Sequence, residues 1–131
     1  MRHEITERAY RLALSLVTMR GDPWFSEMVQ REVLRQLVRA GTSVSANLEE
    51  ATGAQTKADF VAKVTIAKKE ALELQYWIRL AEGASIIQAA EARALGREAL
   101  AVGQVISAIA RKARHSSNRE PFDPVRSDGQ G

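Results

Sequence analysis

The chain has 131 residues, 45% of them hydrophobic and 27% charged, which suits one domain with a real core and is too short for two. It contains no cysteine, so disulfides and thiolate metal sites are excluded, and a reducing cytoplasm is the expected location. The formal charge is +3, which allows a polyanionic partner without demanding one. No run approaches the roughly 18 apolar residues of a membrane span, so no membrane partner is expected.

The first helix is predicted from Arg2 to Arg20. Ile5, Ala9, Leu12, Ala13, Leu16 and Val17 recur at helical spacing as one apolar stripe, with Arg8 and Arg11 off it. The opening residues are charged at close intervals and lack the apolar core of a secretory signal. Gly21 suits a helix stop, and Asp22-Pro23 marks a turn.

A second helix starts between Asp22 and Glu27, with Asp22 or Ser26 as its N-cap, and runs to about Thr52, where Gly53 stops it. Val33, Leu37, Ala40, Val44, Leu48 and Ala51 make a heptad-like seam. Gln36, Ser43, Asn47 and Glu50 line one flank, where hydrogen bonds across a helix or subunit interface would fix register. Arg31, Arg35 and Arg39 project from the side opposite the seam.

Thr56-Lys57-Ala58-Asp59 has the form of a capping box and opens a third helix that ends at Gly83. Phe60, Val64, Ala67, Ala71, Leu74, Ile78 and Ala81 form its seam, yet Val61, Ile66, Leu72, Tyr76 and Trp77 lie on its other faces. A helix apolar most of the way round is buried most of the way round, so these five residues are candidates for a subunit interface. The same side chains would equally suit a groove that receives a partner's helix.

A fourth helix covers about Gln88 to Arg114, with Leu95, Ala99, Val102, Ile106, Ile109 and Ala113 on its seam. Gly96 and Gly103, with Ala110, recur every seven residues beside it. Glycine costs a helix about 1 kcal/mol relative to Ala, so the pair suggests close approach of another backbone at an oligomer interface, or two tolerated surface glycines. Residues 115–131 are polar apart from Phe122 and Val125 and are expected to be a disordered or loosely attached tail. The expected fold is all-α: an up-down-up-down four-helix bundle over residues 1–114.

No catalytic constellation appears. His3 and His115 lie at the two ends of the helical region, and the inward Glu-x-x-His pairs of di-metal bundles are absent. The adjacent Glu49 and Glu50 point about 100° apart. No cofactor, metal or enzymatic activity is expected. Steps of four put Arg31, Arg35 and Arg39 in a row about 6 Å apart, a ridge able to track phosphates. Local pairing with Glu27 and Glu32 is the plainer reading of the same residues. Lys57, Lys63, Lys68, Lys69, Arg111 and Lys112 are further candidates, multiplied by symmetry in an oligomer. With little aromatic interleaving, such contacts would address backbone and shape rather than base sequence.

From about residue 5 to 113 the chain resembles the family named for proteins encoded in intervening sequences of 23S ribosomal RNA genes. The resemblance is carried by Gln36, Leu37, Arg39, Ala40, Ser43, Asn47 and Glu50, and by Thr56, Asp59 and Phe60 at the capped turn. Ile66, Ala67, Lys69, Glu70, Ala71, Tyr76 and Trp77 carry it through the third helix, and Leu95, Glu98 and Ala99 through the fourth. Thr56 and Asp59 replace the family's Ser and Glu, Glu49 stands where the family has a small residue, and Ala51 where it has Gly. The resemblance implies a four-helix bundle assembling as a homopentameric ring. It also implies a relationship to accessory proteins of diversity-generating retroelements, basic bundles that partner a reverse transcriptase and its template RNA. The expected function is therefore that of a non-enzymatic oligomer binding RNA or an RNA–DNA hybrid. The alternative is a structural or protein-interaction oligomer without nucleic-acid binding.

Overall fold

The computed structural model describes residues 2–19, 22–116 and 122–124 and contains four helices: α1 (Arg2–Val17), α2 (Pro23–Thr52), α3 (Lys57–Gly83) and α4 (Ala89–His115). Among the described residues there is no strand, and no helix is long and apolar enough to cross a membrane. The caps follow the sequence closely. Asp22 accepts from the Phe25 amide at 2.9 Å with Pro23 in the first helical turn, so Asp22 rather than Ser26 opens α2. The Thr56 hydroxyl accepts from the Asp59 amide at 3.1 Å and opens α3. α1 stops at Val17, three residues before the expected end, where Thr18 turns its hydroxyl back onto the Leu14 carbonyl. The predicted stop at Gly21, the end at Arg20 and most of the expected tail lie outside the described residues.

α3 is the central element. α2 packs antiparallel on one side of it and α4 antiparallel on the other. Small residues set that packing: Ala67, Ala71 and Ala81 are fully buried on α3, Ala40 and Ala51 on α2, and Ala99, Ala110 and Ala113 on α4. A Cβ placed on Gly103 would make only ordinary contact, 3.7 Å from the Ala71 methyl, so the packing of α4 on α3 does not require this glycine. Gly96 marks no close approach, because nothing lies within 4 Å of its missing side chain. Phe60 is the largest core residue and stacks on Phe122 at 5.3 Å between ring centroids, so Phe122 of the expected tail is seated on the core.

Two expectations are corrected. Most of the small and β-branched residues of the seams are buried, but Leu37, Leu48, Leu74, Val102 and Ile109 are only half-buried, Leu95 is exposed, and Leu80, read as no part of a seam, is among the most buried side chains. The larger correction concerns α1. It does not complete an up-down-up-down bundle. It sits across the end of the α2–α3 pair, burying Tyr10, Ala13, Leu14 and Val17 in part against Val33, Leu80 and Ala81. The Tyr10 hydroxyl donates to the Arg79 carbonyl at 3.0 Å, the Arg79 guanidinium lies 3.7 Å over the Tyr10 ring, and Glu7 takes a bidentate bond from the same guanidinium. Gly83 is a glycine for this contact: a Cβ there would come within 2.7 Å of the Tyr10 oxygen. The turn itself is made two residues later by Ser85, at φ 57°, with the Ile86 amide bonded back to the Ala81 carbonyl. Docked by this flank, α1 leaves Ile5, Leu12 and Leu16, most of the stripe read as its core face, in solvent.

Phe60→Ala is expected to destabilise the chain by about 3–5 kcal/mol, because the ring is fully enclosed and the cavity cannot collapse onto helices held by alanines. Urea unfolding followed by circular dichroism measures this. A change near zero would show that the Phe60 cluster is not the centre of the core.

Candidate nucleic-acid interface

The arginine row of α2 is placed by helical spacing alone, and the same spacing supplies its partners. Arg31 bonds Glu27 at 2.7 Å one turn earlier, and Arg35 makes a bidentate pair with Glu32, whose carboxyl it holds down at about 2 with help from Gln36. Both arginines remain well exposed. Arg39 departs from the row. It reaches over α3, bonding Glu70 at 3.2 Å and Glu73, while its Nε donates to Gln36. Glu73 also accepts from the Trp77 indole at 3.2 Å. Bonds from Trp77 first and Arg39 second hold Glu73 below the usual carboxylate range, and the Glu73 bond raises Arg39. Arg39 is thus part of the α2–α3 contact, not the third post of a solvated ridge.

The polar flank behaves differently from its reading. Gln36 bonds within α2, and Asn47 donates to the Ser43 carbonyl and hydroxyl of its own helix at 2.8 and 3.2 Å. Of these four, only Glu50 crosses to a neighbour, pairing with Lys63 of α3 at 2.8 Å. Register between α2 and α3 is therefore fixed by Glu50–Lys63 at one level and Arg39–Glu70/Glu73 at another.

The candidate cations of α3 and α4 divide. Lys63 is paired, and Lys57 donates to the Ser116 carbonyl at 2.8 Å, closing the C-terminal end of α4. Lys68 and Arg111 face one groove between α3 and α4, of about 380 Å³, with Gln75, Gln104 and Ser107 beside them. Neither makes an ion pair among the described residues. Lys112, Arg114 and His115 occupy the last turn of α4, and Arg114 donates to Thr65 at 3.1 Å. Lys69 is exposed on α3 next to that groove's Lys68. The basic end of the molecule is thus where α3 begins and α4 finishes. The sequence named these cations as candidates one helix at a time; the antiparallel arrangement of α3 and α4 brings Lys68 and Arg111 together.

The expected interface residues also divide. Ile66, Leu72 and Tyr76 are exposed on α3, whereas Val61 packs against the Phe60 cluster and Trp77 against the Leu80 cluster. Among the described residues no group of histidines and carboxylates could hold a metal ion.

Comparison with known proteins follows this geometry. The profile of the family described as 23S rRNA-intervening sequence protein matches residues 1–108. A crystal structure from Bacteroides thetaiotaomicron VPI-5482, of a protein with unknown function from the S23 ribosomal protein family, is similar at 33% identity. The match covers 60% of this chain and 73% of that one, with a TM-score of 0.59. No curated protein matches the chain.

The Glu73 network carries a pH dependence. A carboxylate held below its ordinary value stabilises the fold above about pH 4.3, and that contribution is lost as pH falls through the lowered value. Glu73→Gln should therefore melt below the unaltered chain at pH 7, with the gap closing in acid. Thermal melts at pH 7, 4 and 3 test this, and a gap that persists unchanged at pH 3 contradicts the assignment.

Proposed function

The chain belongs to the 23S rRNA-intervening sequence protein family, and on that premise we propose that it is a non-enzymatic, self-associating helical accessory protein. In this reading it contacts the phosphate backbone of RNA, or of an RNA–DNA hybrid, through the surface where α3 begins and α4 ends. The observation that carries the reading is the placement of Lys68 and Arg111. They face a common groove, have no acidic partner among the described residues, and adjoin the basic last turn of α4. Cations without local carboxylates are the ones whose counterions a polyanion can release at no internal cost. Arg31, Arg35 and Lys63 must first give up an ion pair, so they are secondary.

The description of the family places its genes in intervening sequences of a ribosomal RNA, a hint toward RNA that rests on the name alone. Assisting a reverse transcriptase is the setting that the resemblance to retroelement accessory proteins adds, and it is where an RNA–DNA hybrid would be met. The absence of an aromatic platform beside Lys68 and Arg111 favours contacts to backbone and shape over stacked bases. A second reading, a protein-interaction oligomer without nucleic acid, is favoured by the exposed Ile5, Leu12 and Leu16 of α1 and by Leu72 and Tyr76 of α3.

Fluorescence anisotropy with structured RNA, single-stranded RNA and duplex DNA, at low and physiological salt, separates the two. Salt-sensitive RNA binding is expected, and Lys68→Ala/Arg111→Ala should weaken it and reduce the salt slope by about 2. Arg31→Ala/Arg35→Ala should change it little. Binding lost only in the second variant would move the site to α2, and no binding at low salt would leave the protein-interaction reading.

A further inference from the structure

The arrangement of α2 and α4 leaves a vacancy of definite shape. Among the described residues no Cα of α2 comes within 8 Å of one in α4, and between them, over α3, runs an open groove of about 460 Å³. Leu48, Leu74, Leu95 and Val102 line it, with one carboxylate on either side, Glu49 from α2 and Glu98 from α4. Neither carboxylate makes an ion pair among the described residues. In a regular bundle this corner holds the fourth helix.

The chain also has a helix face with nothing on it. Ile5, Leu12 and Leu16 lie within about 40° of one another around α1 and are 67%, 63% and 55% exposed. Arg8 borders that stripe about 40° from Leu12, with Glu4 and then Arg11 further round the same flank; both arginines are exposed and without an ion pair among the described residues. The stripe is apolar with Arg8 at its edge, and the groove is apolar with a carboxylate on either side. Their lengths agree too. α1 has 16 residues, about 24 Å, and the groove follows α2 from Leu37 to Thr52, about 22 Å.

We propose that the groove between α2 and α4 receives α1 of a second copy of this chain. The chain's own α1 does not fit the vacancy. It is joined to α2 by residues 18–22, and laid back along α2 from that turn its 16 residues reach only the level of about Val38, where the groove begins. A helix from another copy has no such tether. The exchange also explains why α1 is held by its other flank. The Tyr10–Arg79–Glu7 contacts fix it across the end of its own α2–α3 pair and present the apolar stripe outward. The proposal deepens the self-association named above and is independent of RNA contact, because Lys68 and Arg111 lie on the opposite side of α4 from this groove.

The chain has no native cysteine, so single-cysteine variants report contacts directly. Leu12→Cys and Leu48→Cys chains, each otherwise intact, are mixed and oxidised. A disulfide-linked pair containing one of each is expected on a non-reducing gel. Light scattering should give the unaltered protein a multiple of the 14.4 kDa chain mass at micromolar concentration. Leu12→Asp/Leu16→Asp should fall to a single chain with unchanged helicity, since both positions are exposed within the protomer. Glu49→Lys/Glu98→Lys should also dissociate, and adding Arg8→Glu/Arg11→Glu should restore the assembly. Three outcomes overturn the proposal: a monomeric unaltered protein, an assembly that survives Leu12→Asp/Leu16→Asp, or a Leu12→Cys/Leu48→Cys chain that closes an internal disulfide and runs as a monomer. RNA binding measured on the same variants keeps the two readings apart, for dissociation with retained RNA contact supports both separately.

Discussion

The structure depends on how α3 is covered. Phe60, Val64, Ala67, Ala71, Ile78 and Ala81 form a buried band along one side of that helix, Leu80 is buried about 200° round from Ile78, and water must be kept from all of them. α2 and α4 cover most of them because alanines dominate the contact and let each helix lie close against α3, and α1 closes over Leu80 and Ala81. The helices that pack closest to a common partner need not approach each other, and among the described residues no Cα of α2 comes within 8 Å of one in α4. The open corner between them follows from α1 docking at the end of the α2–α3 pair rather than along the groove between α2 and α4. Buried apolar side chains thus account for the groove as directly as for the core.

Much of this was legible in the sequence. Helix starts at Asp22 and Thr56 were readable because each rests on a short-range hydrogen bond from a capping side chain, and the stop at Gly53 because glycine follows the last periodic residue. The seams of α2 and α3 were readable because a periodicity sustained over several turns leaves one face for burial. α1 was misread for the same reason. Its apolar residues cover more than half of the helix, so periodicity admits two faces, Ile5/Leu12/Leu16 and Tyr10/Leu14/Val17. The choice between them is made by partners far away in sequence, Arg79 and Gly83. Ser85, which turns the chain into α4 at positive φ, carried no signal, whereas Gly83, read as the stop, does end α3 and also leaves room for Tyr10.

The candidate site shows a similar division. An arginine every four residues invites a picture of a phosphate-tracking ridge, but a carboxylate one turn away answers each charge locally, and Arg39 is drawn onto α3 by Glu70 and Glu73. Counting cations in sequence therefore overstates the surface available to a polyanion. Lys68 and Arg111 are less conspicuous because they lie far apart in the chain, yet α3 and α4 run antiparallel and bring them to one groove. Pairing within helices is readable from spacing. Clustering between helices depends on topology and register, which Glu50–Lys63 and the Arg39 network set through side chains whose reach sequence does not reveal.

Both unfilled features of the molecule, the apolar groove and the unpaired cations, flank α4. Leu95, Glu98 and Val102 face one side of it, and Gly103, Ser107 and Arg111 the other. A helix in that position is committed to α3 along a narrow strip of Ala92, Ala99, Ile106, Ala110 and Ala113, which frees its two lateral faces for other work. The strip is narrow because its residues are mostly alanine, and alanine suffices because α3 offers alanines in return. A wider seam of leucines would hold α4 more firmly and would cover the faces on which both proposed contacts rely. The small-residue packing of the core and the availability of two separate surfaces are therefore one property: the side chains that let the helices approach closely are the ones too short to reach around and close the sides.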